Sequence, residues 1–169
     1  MGIQPQRCAW ANVAHQDYVQ YHDEAWGVPV RDDTAHFELL TLEGAQAGLS
    51  WLTILRKREG YRHAFAQFDV KKVAAFGPQQ VQQLCTDPSI VRNKQKIAAT
   101  ISNAQCFLTL QADFGSFDQY IWRFVEGKPQ INHWQCATEV PAHTHLSDQI
   151  SKDLKQRGFK FVGSTIIYA

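Results

Sequence analysis

The chain has 169 residues, which is enough for one domain with a sizeable hydrophobic core. Hydrophobic residues make up 44%, charged residues make up 20% and the formal net charge is +1, a balance that is typical of a globular protein and argues against a non-specific polyanion-binding coat. There is no apolar stretch of membrane-spanning length, no secretory signal and no CxxC pair, so we expect a cytoplasmic protein with reduced cysteines.

No repeat, low-complexity tract or Gly/Ser linker divides the chain, so we predict a single domain over residues 1–169. Apolar residues between positions 37 and 45 predict a largely buried helix that Thr34 caps. The later predicted helices are residues 70–76 after Asp69, 79–85 after the break at Gly77, 96–110, 117–125 after Ser116 and 148–156 after Ser147.

Two glycines, Gly127 and Gly158, are expected to end helices, because glycine readily adopts the left-handed conformation found after a helix C-terminus. The last segment, residues 163–169, is apolar and β-branched and fits either a strand or the start of a buried helix. Alternating strand patterns and tight hairpin turns are poorly represented elsewhere. We therefore predict an all-α fold.

Aromatic, imidazole and carboxylate side chains crowd residues 21–29, a segment that Gly27 and Pro29 interrupt. We interpret it as a loop. A loop of this composition either binds a flat ligand or fills a core, where buried tyrosine and tryptophan find hydrogen-bond partners. The residues alone leave both interpretations open.

Small and apolar neighbours surround Glu43 within residues 42–51, so its carboxylate is a candidate for a desolvated position in a pocket wall. The alternative is an exposed glutamate on a helix surface, which is the commoner fate of this residue type. Gly44 and Gly48 lower the helix propensity of the segment and allow a ligand or another backbone to approach closely.

Basic residues gather where a helix is expected to begin near Asn93, after a helix that ends near Cys85 and a short turn. The free N–H groups and the positive dipole end of such a helix favour an anion. Residues 85–97 therefore fit a phosphate clamp of the helix-hairpin-helix kind, and the alternative is a solvated basic helix cap. Nearer the C-terminus, Arg157 and Lys160 flank aromatics that suit either nucleic-acid stacking or core packing.

Together and in this order, these segments resemble the 3-methyladenine DNA glycosylase I family of helix-hairpin-helix enzymes. The resemblance covers nearly the whole chain and is carried by residues 7–10, 21–29, 42–51, 90–97 and 157–163. The Glu-Gly…Ala-Gly-Leu-Ser-Trp pattern of residues 43–51 is its most specific part. It implies an all-helical enzyme that flips 3-methyladenine out of alkylated double-stranded DNA and hydrolyses its glycosidic bond. No lysine is placed as a Schiff-base nucleophile, so lyase chemistry is not expected.

By resemblance, Tyr21, Glu43 and Trp51 line the base pocket, and Trp10 and Trp26 lie near it. A base methylated at N3 is cationic, so it favours aromatic faces and a carboxylate. We therefore assign Glu43 as the catalytic residue that recognises the base, and not as a nucleophile. The residues that the resemblance places on DNA are Leu49, near the gap left in the base stack, and Arg92, Asn93, Lys94, Lys96 and Lys160.

The resemblance also implies a structural zinc held by an N-terminal Cys and His and by a C-terminal His and Cys. Cys8 and His22 match the first pair, whereas the second pair would lie beyond Ala169. Structural zinc takes four protein ligands, so we do not expect it in the 169-residue chain.

The expected partner is alkylated duplex DNA, with no membrane and no organic cofactor, and we expect a monomer. The alternative function is a non-catalytic helix-hairpin-helix DNA-binding module. The presence of Tyr21, Glu43 and Trp51 argues against that alternative, and the short C-terminus argues for it. A metal-binding or interaction protein is a third interpretation, and it rests only on scattered His and Cys residues.

Overall fold

The computed structural model describes residues 7–11 and 14–169, and this part of the chain forms helices and no strands. The α-helices are α1 (Gln16–Glu24), α2 (Asp33–Gln46), α3 (Trp51–Leu55), α4 (Arg58–Ala64), α5 (Val70–Ala74), α6 (Pro78–Thr86), α7 (Lys94–Phe114), α8 (Phe117–Trp122), α9 (His145–Gln156) and α10 (Ser164–Tyr168). Short 3₁₀ helices cover Ala66–Phe68, Arg123–Val125 and Ala137–Glu139. The all-α prediction is confirmed, and no helix of the described residues is long and apolar enough to cross a membrane.

Polar side chains set several helix starts as predicted. Asp69, Asn93 and Ser116 accept hydrogen bonds from the backbone N–H groups of the third residue after each of them, at 3.0 to 3.2 Å. These bonds satisfy donors that the helix itself leaves free. Residues 163–169 form the short helix α10, so the helical alternative for that segment is correct.

Two predicted caps are wrong by two or three residues. Asp32, and not Thr34, caps α2, because its carboxylate accepts the Ala35 N–H at 2.8 Å. Thr144 caps α9 by accepting the Ser147 N–H at 3.1 Å, and Ser147 in turn accepts the Thr144 N–H at 2.8 Å. This reciprocal capping box makes Ser147 a residue of the first turn, where it is buried.

Helix α7 is the long central helix, and it packs against α2, α5, α6 and α8. Its apolar face is buried, and the Phe107 ring stacks on Phe117 of α8 with ring centroids 4.3 Å apart. Phe37 of α2 packs edge-on against Phe107 at 5.4 Å. The core therefore fixes α2, which carries Glu43, relative to α7.

The turn between α6 and α7, residues 87–93, is called the hairpin below. Its start is closed by Asp87, whose carboxylate accepts the Ser89 N–H at 2.8 Å. Its apolar tip residue Ile90 is 1% exposed and joins the core. The predicted helix, turn and basic helix start are therefore present, with Asn93 as the N-cap of α7.

Candidate active site

Four aromatic residues from separate parts of the chain form one cluster, the aromatic cleft. Tyr21 of α1 and Trp51 of α3 have ring centroids 5.3 Å apart. Trp10 lies 6.1 Å from Tyr21 and 5.3 Å from Trp26. Trp10 and Trp26 are 37% and 46% exposed, so the cleft has an open aromatic side. Residues 21–24, which we interpreted as a loop, belong instead to helix α1.

Helix α3 is held against α1 at its first turn. Ser50 caps α3 by accepting the Thr53 N–H at 3.2 Å. The Tyr18 hydroxyl accepts the Leu52 N–H at 3.1 Å, so a side chain of α1 also satisfies a free donor of α3. This contact fixes Trp51 beside Tyr21. Tyr18 was not among the predicted site residues, although it lies one helical turn before Tyr21.

Glu43 lies on α2, partly buried, and makes no hydrogen bond or ion pair with any residue that the structure describes. Burial raises the pKa of its carboxyl to about 7. Burial, and then the Glu43 charge, raise the pKa of Tyr21 to about 12, which places this carboxylate within electrostatic reach of the cleft. The desolvation expected for Glu43 is therefore found.

The Trp51 ring carries an unsatisfied donor. Within residues 7–11 and 14–169, its Nε1 is the buried side-chain nitrogen or oxygen that has no hydrogen-bond partner. Buried indole N–H groups usually find a partner, and a catalytic or binding role is one explanation for an exception. The cleft therefore contains an unpaired donor, and the unpaired carboxylate of Glu43 lies within electrostatic reach of it.

The two glycines beside Glu43 serve different purposes. A Cβ on Gly44 would lie 3.2 Å from the Cβ of Phe161 and 3.3 Å from its carbonyl oxygen, so Gly44 admits a neighbouring segment and not a ligand. Gly48 has a φ of +79° and open space around it, so it is needed for the turn after α2. That turn carries Leu49, which is 41% exposed.

The basic residues predicted to bind DNA separate into two groups. Arg92 and Lys94 are exposed at the start of α7 and pair with no carboxylate of the described residues, and Asn93 between them caps the helix. Lys96 differs, because its ammonium group donates to the carbonyl oxygens of Ala45 and Ala47 at 2.8 and 2.6 Å. Burial lowers the pKa of Lys96. Its charge is thus directed to the C-terminus of α2.

Lys160 is exposed, and a buried side chain of the core holds its backbone. The buried amide of Asn103 donates to the Lys160 carbonyl at 2.9 Å and accepts the Lys160 N–H at 2.8 Å. The following residue, Phe161, has a φ of +55°, a conformation that side-chain-bearing residues seldom adopt. The side chain of Lys160 is thus presented to solvent from a firmly held turn.

Cys8 and His22, the expected half of a zinc site, are neighbours. The Cys8 N–H donates to His22 Nε2 at 3.2 Å, and His22 Nδ1 donates to Asp23 at 2.9 Å. Both ring nitrogens are therefore engaged. The described residues contain no group of three or more His, Cys, Asp or Glu side chains that could hold a metal ion. They do not fit a four-ligand structural zinc site.

Comparisons with known proteins match nearly the whole chain. The sequence model of the family described as Methyladenine glycosylase matches residues 10–169. DNA-3-methyladenine glycosylase 1 of Escherichia coli (strain K12) is 46% identical over 166 residues, covering 97% of this chain and 87% of the relative.

Solved structures agree with the sequence match. A crystal structure of 3-methyladenine DNA glycosylase I has a TM-score of 0.93 at 46% identity, covering 96% of this chain and 89% of that chain. A variant of such an enzyme in complex with 3-methyladenine has a TM-score of 0.92 at 40% identity, with coverage of 96% and 87%. The chain belongs to the Methyladenine glycosylase family.

Proposed function

We propose that this protein is a DNA-3-methyladenine glycosylase of base-excision repair, which flips the alkylated nucleotide out of duplex DNA and hydrolyses its N-glycosidic bond. The observation that carries the proposal is the unpaired, partly buried carboxylate of Glu43, which acts electrostatically on Tyr21 of the aromatic cleft. Family membership supports it, since the relatives named above carry this activity in their names.

The cleft suits a flat cation. A base methylated at N3 is positively charged, so aromatic faces attract it, and a carboxylate in a poorly solvated setting attracts it more strongly than the same pair in water. The charge of the bound base in turn favours the ionised form of Glu43. The charge on the base disappears when the glycosidic bond breaks, so the leaving group needs little further activation.

We assign Glu43 to binding and orienting the base, with Tyr21 and Trp51 stacking around it and Trp10 and Trp26 at the open side. Water is the nucleophile in this proposal. The ammonium group of Lys96 donates to two backbone carbonyls and is not free to form a Schiff base. We therefore propose a monofunctional glycosylase.

We propose that the hairpin holds the DNA backbone through Arg92 and Lys94 together with the N-terminal N–H groups of α7. Lys160 and Leu49 keep their predicted roles as a further backbone contact and as the residue near the vacated base position. Because its ammonium group is bound at the end of α2, Lys96 is assigned to supporting that helix end. The proposed unit is a monomer with one domain.

The test is release of 3-methyladenine from methylated duplex DNA, compared between the wild-type protein and Glu43→Gln. Release by the wild type and its loss in the variant, with unchanged affinity for undamaged duplex, is the expected result. The alternative, a non-catalytic DNA-binding module, would bind duplex and release no base. A wild-type rate in Glu43→Gln would remove the assigned role of the carboxylate.

A further inference from the structure

The hairpin rests on helix α4, which lies some thirty residues earlier in the chain. Lys57, the residue just before α4, donates from its ammonium group to the Pro88 carbonyl at 2.6 Å. The Tyr61 hydroxyl accepts the Val91 N–H at 3.3 Å. Tyr61 is 3% exposed, so this hydroxyl reaches the hairpin from inside the protein. Both contacts engage backbone groups of the hairpin and leave its basic side chains free.

Between these two contacts, α4 and the hairpin touch at a glycine. A Cβ on Gly60 would lie 2.7 Å from the Cβ of Ser89 and 2.9 Å from its carbonyl carbon, and closer still to its carbonyl oxygen. Real Cβ atoms essentially never come this close to backbone atoms. Any side chain at Gly60 would therefore force α4 and the hairpin apart, because the atoms it meets are the backbone and Cβ of Ser89 and not the end of a flexible side chain.

The other side of α4 is fixed to α2, the helix that carries Glu43. Glu38 of α2 is 7% exposed and pairs with Arg58 and Arg62 of α4, the latter at 3.0 Å. A buried carboxylate with two guanidinium partners holds a defined geometry, since losing either partner leaves the buried charge less well compensated. Burial and the charge of Glu43 raise the pKa of Tyr21, whereas the charge of Arg58 lowers it. Arg58 of α4 therefore lies within electrostatic range of the cleft.

We propose that α4 sets the position of the hairpin relative to the base cleft, and that Gly60 and Tyr61 are positioning residues for duplex binding. The inference rests on the proposed function, in which the hairpin grips phosphate and the cleft receives the base. With both parts anchored on α4 and α2, a flipped base reaches the cleft only if the backbone is held at the matching distance. A displacement of about 1 Å at such a contact can cost about 100-fold in rate.

The experiment compares Gly60→Ala and Tyr61→Phe with two matched controls, Gly77→Ala and Tyr120→Phe. A Cβ on Gly77 meets only the end of the Gln80 side chain at 3.5 Å, and the Tyr120 hydroxyl donates to Asp153. For each protein, fluorescence anisotropy gives the duplex Kd and its salt dependence. Tryptophan fluorescence gives the Kd for free 3-methyladenine, and thermal unfolding gives the stability.

We expect Gly60→Ala to weaken duplex binding at least about tenfold and Tyr61→Phe to weaken it about fivefold, as loss of one hydrogen bond does. Both variants should bind free 3-methyladenine within about twofold of the wild type, and both controls should bind duplex within about twofold. A general structural role would instead lower duplex and free-base affinity together, and that result would overturn the inference. If Gly60→Ala does not fold, the duplex and free-base affinities of Tyr61→Phe decide between the two outcomes.

An Arg92→Ala, Lys94→Ala double variant separates this inference from the proposed function. If the double variant loses duplex affinity while Gly60→Ala and Tyr61→Phe bind duplex as the wild type does, the positioning role is wrong and the hairpin proposal stands. If the double variant itself binds duplex with wild-type affinity and salt dependence, the hairpin does not touch phosphate, and both proposals fall.

Discussion

Replacing Glu43 by Gln should make the protein more stable and less active, and the two effects have one cause. The carboxyl group has no hydrogen-bond or ion-pair partner among the described residues, and burial raises its pKa from 4.5 to about 7. The folded protein therefore binds this proton more tightly than the unfolded chain does. Ionised Glu43 is a cost to folding that an amide of the same shape does not carry.

The size and pH range of the effect follow from proton linkage. Below pH 4.5 both states are protonated, and Glu43 does not affect stability. Between pH 4.5 and about 7 the unfolded chain ionises first, so the folded protein loses stability as the pH rises. Above this range the difference reaches about 3 kcal/mol, or roughly 6–12 °C in thermal midpoint for a chain of this length.

The assay is thermal unfolding of both proteins from pH 4.5 to 8.5, together with the pH dependence of 3-methyladenine release. The thermal midpoint of Glu43→Gln should exceed that of the wild type at pH 8.5, and the two should converge near pH 4.5. The kcat/KM of the wild type should rise through about pH 7 as the carboxylate forms, because the cationic base needs the ionised group.

Two results would refute this reasoning. A Glu43→Gln variant that is less stable than the wild type at pH 8.5 would mean that the carboxylate is paired and stabilising. A wild-type kcat/KM that is flat between pH 6 and 8 would mean that its ionisation does not govern recognition. Leu49→Ala is a suitable control for stability, since Leu49 is 41% exposed and carries no charge.

Three further predictions address the DNA surface, the cleft and the metal. Arg92→Ala and Lys94→Ala should each weaken duplex binding and reduce the slope of log affinity against log salt concentration by about 0.9. Lys96→Ala should lower the thermal midpoint and leave that slope unchanged, and equal slopes in all three variants would contradict the assignment. Tyr18→Phe should weaken binding of free 3-methyladenine about fivefold in a fluorescence titration, because α3 loses the hydrogen bond from the Leu52 N–H. Binding with wild-type affinity would show that this bond is not needed to position Trp51. Elemental analysis of the purified 169-residue chain should find well under one zinc per molecule, since Cys8 and His22 are the only members of the expected zinc site among the described residues. One tightly held zinc would make His133, Cys136, His143 and His145 the first residues to replace.

Local signals in the sequence determined much of the fold. Asp69, Asn93 and Ser116 cap helices where the pattern predicted, because a side chain accepting an N–H three residues ahead depends only on nearby backbone. The hairpin was predictable for the same reason. Where several polar residues stand close together, as at 32–34 and 144–147, the choice of cap was wrong, since packing decides which of them begins the helix.

The resemblance of residues 21–29 and 42–51 identified the cleft, and the isolation of Glu43 among small residues indicated desolvation. Only the tertiary structure decided what each charge faces. In the sequence Lys96 belongs to a basic cluster, whereas in the structure its ammonium group donates to the carbonyl oxygens of Ala45 and Ala47, about fifty residues earlier. The close approach of Gly60 to Ser89 and the bond from Leu52 to Tyr18 likewise join distant segments. Such contacts depend on how helices pack, and local periodicity carries no information about that geometry.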